Sequence, residues 1–165
     1  MHTASTSTPQ RRNKPAAPRQ AGAVMAYADA FDLPVQEQID YVKRGLPAQG
    51  VPQVAADLHL STDRYISILG LPKSTLARKI KENQRLPVEQ SERVFQTMRL
   101  VGLVQQLVKD YGDAQGFDAA QWLGQWIEQP NPALGGNCPA GYLDTATGAA
   151  LVESLLHAMV SGAYA

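Results

Sequence analysis

Between Val51 and Asn83 the chain carries a residue that starts or stops a helix about every ten positions, and this punctuation limits its fold more than any other feature. Hydrophobic spacing predicts short helices at about 53–59, 62–69 and 73–83. Ser61 or Thr62 offers a hydroxyl to an unpaired backbone N–H at the start of the second. Gly70 suits the left-handed conformation that closes that helix, and Pro72 suits the start of the third. Leu69-Gly70-Leu71-Pro72 is thus a short turn between two helices, the sequence form of a helix-turn-helix. In the third helix Leu76 and Ile80, four apart, face inward and leave Ser74, Thr75, Arg78, Lys79 and Lys81 outside. Arg and Lys neutralise phosphates or read guanine edges, and short hydroxyls approach the same groups, so this pattern predicts DNA contact. Lys73, Ser74, Thr75 and Arg78 are expected at the groove, with Lys79, Lys81 and Arg85 nearer the backbone. A solvated basic face on an ordinary helical bundle is the alternative.

Charge is segregated, not absent. The formal net charge is zero, yet residues 1–23 carry +4, residues 24–60 −3, residues 61–100 +4 and residues 101–165 −5. The basic middle suits phosphates and the acidic end suits some other partner. A length of 165 residues accommodates two small modules, and a hydrophobic content of 44% is enough to build a core. Apolar runs stay well below the ~20 residues of a membrane span. Cys138 is the single cysteine, and with His2, His59 and His157 it assembles neither a disulfide nor a zinc spacing. No cofactor, metal or membrane partner is therefore expected, and a bacterium-like cytoplasm is the default location.

Residues 1–23 combine Pro, Ser, Thr, Ala and four basic residues and are expected to be a disordered tail. Residues 24–86 form the helix-turn-helix module, with a helical lead-in broken at Pro34 and around Gly45 to Pro52. One long helix is expected over 87–111, linking the modules across 87–112. Its stripes, Val94/Met98/Val101/Val108 and Leu100/Leu103/Leu107/Tyr111, face two sides, which fits burial or a homodimer contact. Residues 113–165 form the second module. Asp118 caps a helix onto which Phe117 staples through Trp122. Asn131 to Tyr142 is expected to be a long turn without regular hydrogen bonding, since Pro, Gly-Gly and Asn crowd it. Thr145 or Thr147 caps a last helix whose apolar stripe joins Leu151, Leu155 and Met159 to Val152, Leu156 and Val160. No convincing strand appears, so the class is all-α.

The order Trp122-Leu123, Pro130 to Gly136 (PNPALGG), Pro139, Leu143 to Gly148 (LDTATG) and Gly162 resembles the toxin-binding domain of the Xre/MbcA/ParS antitoxins. These are the partners of RES-domain toxins, which consume NAD. The resemblance spans roughly residues 50–165 and implies a Cro/Xre-like helix-turn-helix that represses its own operon through operator DNA. It further implies that the C-terminal end covers the entrance of the toxin's active site. Carried over to matching positions, it implicates Leu134, Gly135, Gly136, Pro139, Thr145, Gly148 and the tail Gly162, Ala163, Tyr164 and Ala165. Leu86-Pro87 departs from the usual Leu-Ser before the long helix, and Asn137, Cys138 and Ala140-Gly141 depart from the usual loop. No catalytic constellation is present. The nearest decoy, Gly70 to Thr75, lacks the P-loop's glycine spacing. A DNA-binding regulator whose C-terminal half only dimerises or senses a ligand is the second reading.

Overall fold

The computed structural model describes residues 24–162. The expected N-terminal tail therefore lies outside the described residues, as do Ala163, Tyr164 and Ala165 of the C-terminal set. Eight α-helices are described: α1 Tyr27–Asp32, α2 Val35–Arg44, α3 Gly50–Asp57, α4 Thr62–Leu69, α5 Lys73–Lys81, α6 Val88–Tyr111, α7 Ala119–Trp126 and α8 Ala146–Ser161. Among the described residues extended pairing is confined to an isolated antiparallel bridge, Pro47 with Arg85, so the protein is all-α as expected.

The 24-residue α6 is the axis. It buries Val94, Phe95, Met98, Leu100, Val101, Leu103 and Val104 against α1, α2, α7 and α8. A helix apolar on more than one side needs cover from more than one direction, and here it has it. Gly102 allows a close crossing: a Cβ there would lie 2.2 Å from the Tyr27 carbonyl oxygen of α1. Gly124 repeats the device between modules, where a Cβ on α7 would lie 2.0 Å from the carbonyl oxygen of Leu58 just past α3. Buried residues of both modules consequently belong to one continuous core. The Tyr27 hydroxyl donates to Asp57, pinning α1 to the end of α3. Burial and that carboxylate push the phenol well above its usual range, so it stays a donor. Buried Ser91 accepts from the Leu46 amide at 2.9 Å and donates to the Leu86 carbonyl at 3.2 Å, so both sides of its hydroxyl are satisfied.

Element boundaries shift for local reasons. α3 begins at Gly50, with Pro52 in its first turn, where the missing N–H costs nothing. α5 stops at Lys81, and Asn83 takes φ 52°, a left-handed conformation that Asn tolerates. The expected loop without regular hydrogen bonding instead holds two 3₁₀ turns, Pro132–Leu134 and Pro139–Tyr142. Their prolines start turns that need no N–H at that point, and the Ala140 amide donates to the Ile127 carbonyl at 2.9 Å. The apolar stripe of α8 is buried only in part. Val152, Leu155 and Leu156 are covered, whereas Leu151, Met159 and Val160 remain exposed. Tyr111, the last residue of α6, is 72% exposed, because the helix that would shelter this end of α8 stops there.

Candidate functional site

The turn between α4 and α5 is built as its sequence predicts. Ser61 caps α4 by accepting from the Arg64 amide at 3.1 Å. Gly70 closes the helix at φ 64°, ψ 35°, and the Leu71 amide returns to the Ile66 carbonyl at 3.0 Å. Pro72 then stands at the N-cap position of α5. Leu76 is fully buried and Ile80 half-buried, and this inward side fixes which side chains α5 can offer. Lys73, Ser74, Arg78, Lys81 and Arg85 are exposed, while Thr75 and Lys79 are half-buried. Two of these cations already have partners: Lys73 Nζ lies 3.0 Å from Asp63, and Arg85 donates to the Gly45 carbonyl at 2.7 Å. The exposed side of α5 therefore holds a compact group of basic and hydroxyl side chains on a rigid support.

Both α6 and the second module are tied to this part of the helix-turn-helix. Arg93 of α6 donates to the Leu69 and Gly70 carbonyls, each at 3.2 Å, satisfying oxygens that the end of α4 leaves unpaired. Asp144, directly before the cap of α8, packs beside Gly70, where an added Cβ would meet the Asp144 Cβ at 3.6 Å. Arg64 of α4 makes a bidentate pair with Glu128 just past α7, at 2.8 and 2.9 Å.

The residues expected to meet a partner fall at two ends of α8, about 24 Å apart for a 16-residue helix. At its N-terminal end Thr145 Oγ1 accepts from the Gly148 amide at 3.0 Å. Gly148 is buried, and a Cβ there would sit 1.8 Å from the Tyr142 carbonyl oxygen. Leu134 and Pro139 are also buried, so of the residues expected to meet a partner at this end Gly135, Gly136 and Thr145 are open to solvent. Gly135 and Gly136 have φ of 64° and 88°, which only glycine adopts cheaply. At the other end Gly162 terminates α8 at φ 71°. Beside it runs an open apolar groove of about 290 Å³, between the end of α6, the 112–117 connection and the end of α8. The sequence alone does not single out this groove as a site. Its clue is the doubled apolar stripe of α6, which continues to Tyr111 while no helix among the described residues covers that end.

A helix-turn-helix packed onto a second helical module, with conformation-specific glycines in the loop and helix ends of that module, defines a two-domain antitoxin when set beside known families. Residues 37–99 match the antitoxin Xre-like helix-turn-helix domain, and residues 112–162 match the antitoxin Xre/MbcA/ParS C-terminal toxin-binding domain. The "Prs ADP-ribosylating antitoxin" of Sphingobium sp. (strain YBL2) is 37% identical over 140 residues, covering 85% of this chain and 88% of that protein. The chain belongs to the Xre/MbcA/ParS antitoxin family. Among the described residues no helix is long and apolar enough to cross a membrane.

Proposed function

We propose that this antitoxin neutralises a RES-domain toxin that consumes NAD, by covering its active-site entrance, and that it represses its own operon by binding operator DNA as a homodimer. The observation that carries this reading is the relative of 37% identity, whose name couples an antitoxin to ADP-ribosylation, a transfer that draws ADP-ribose from NAD. Lys73, Ser74, Thr75 and Arg78 meet the bases, with Lys79, Lys81 and Arg85 on phosphates. Their exposure on a helix that follows a tight turn supports this assignment. Dimerisation supplies the second half-site reader that such a helix requires. Toward the toxin, Gly135, Gly136, Thr145 and residues 162–165 make contact, while Leu134, Pro139 and Gly148 hold the shape beneath them.

The test is co-expression with the product of the adjacent reading frame, with growth and NAD recorded. A complex, intact NAD and restored growth are expected. If that product forms no complex with the chain, or if NAD still falls in its presence, the regulator reading replaces this one.

A further inference from the structure

We infer that the groove at the C-terminal end of α8 is the principal anchor for the toxin. This rests on the toxin-binding reading above and assigns it a surface. Leu107, Tyr111, Phe117, Trp122, Met159 and Val160 are among the residues that line the groove. Tyr111, Met159, Val160 and Phe117 are exposed at 72%, 47%, 42% and 39%, a contiguous apolar surface of the kind that marks interaction sites.

Three observations select the occupant. First, the groove lies mostly within residues 112–162, the part of the chain matched to the toxin-binding domain. Second, Met159 and Val160 of the groove stand within three residues of Gly162, the end of α8 that the toxin-binding reading assigns to the toxin. Third, the segment bordering the groove carries Asp110, Asp113 and Asp118 against Lys109 alone, all exposed. A twofold-related second copy would bring two such acidic borders together, and DNA would be repelled. A cleft that handles the phosphates of a dinucleotide is rimmed by basic groups, and it complements this border. The occupant is thus an apolar projection of the toxin flanked by basic side chains.

The test uses the full chain and a catalytically inactive form of the RES-domain protein encoded beside it, with affinity measured by calorimetry. Met159→Arg places a cation in the groove at an exposed position, and Tyr111→Ala removes an exposed ring. Ala133→Arg, at the other end of α8, is the comparison. Circular dichroism and operator binding verify that each variant is folded. Met159→Arg and Tyr111→Ala should each weaken toxin binding by about tenfold or more, as removal of an anchor does. Ala133→Arg should cost at least about tenfold less than Met159→Arg. Groove variants that bind toxin as tightly as the unmodified chain overturn this inference and leave the toxin-binding reading standing. Groove variants that turn a dimer into a monomer with unchanged toxin affinity assign the groove to a second copy and overturn it too. Failure of the unmodified chain to bind overturns both.

Discussion

The two ends of α8 use the same kinds of residue to opposite effect. At the N-terminal end the large apolar side chains are engaged. Gly148 lies against the Tyr142 carbonyl, Leu134 and Pro139 are buried, and Asp144 packs on the helix-turn-helix at Gly70. At the C-terminal end Met159, Val160 and Tyr111 remain in solvent although their neighbours Leu155 and Leu156 are buried. A motif can therefore be shared with a family because it builds the domain, while the surface available to a partner lies elsewhere. The closed end joins the toxin-binding domain to the helix-turn-helix, and the open end is left uncovered by the described residues.

The two ends of α8 should respond very differently to substitution. Gly148→Ala places a methyl group within 1.8 Å of a backbone oxygen that cannot rotate away. It should destabilise the protein by about 3 kcal/mol, lowering Tm by roughly 6 to 12 °C at this chain length. Met159→Ser at the open end should cost under about 1 kcal/mol, because half the side chain is already hydrated. Equal losses in thermal unfolding would erase the distinction.

The next largest effect concerns DNA. Arg78→Ala with Lys79→Ala should abolish measurable operator binding at physiological salt while toxin binding persists. For each cation withdrawn from a phosphate, the slope of log affinity against log salt should also fall by about 1. An unchanged slope and affinity would show that α5 is not the reading helix.

Smaller effects report on the seam that holds the helix-turn-helix to α6 and to the second domain. Arg93→Ala leaves the carbonyls of Leu69 and Gly70 without their charged donor, and should cost about 1 to 2 kcal/mol and loosen the turn. Arg64→Met should cost under about 1 kcal/mol, since its pair with Glu128 is partly exposed to solvent. Thermal unfolding of both variants orders them, and a larger loss for Arg64→Met would place the seam's strength in the ion pair instead of the hydrogen bonds to the carbonyls.

Much of this architecture was legible from local chemistry. Ser61, Gly70, Pro72, Asp118, Thr145 and Gly162 each act at a helix end through their own backbone or side chain, and the structure uses them there. The staple of Phe117 on Trp122 also forms, with ring centroids 6.4 Å apart. What was not legible depends on where distant segments meet. Gly102 and Gly124 look like ordinary helical glycines until α1 and Leu58 are brought across them. The exposure of Met159 follows from α6 ending at Tyr111, a packing outcome that the period of α8 does not carry. The 3₁₀ turns at Pro132 and Pro139 were missed because proline in a Gly-rich stretch signals a break more strongly than it signals a short helical turn.

The most direct measurement is a titration of toxin-catalysed NAD consumption with the full chain and with a version ending at Gly162, each accompanied by its binding affinity. If, as proposed, the groove anchors the toxin and the residues after Gly162 cover its active site, the shortened protein should still bind but no longer stop NAD loss. Full inhibition by the shortened protein would contradict that separation, as would disappearance of binding and inhibition together.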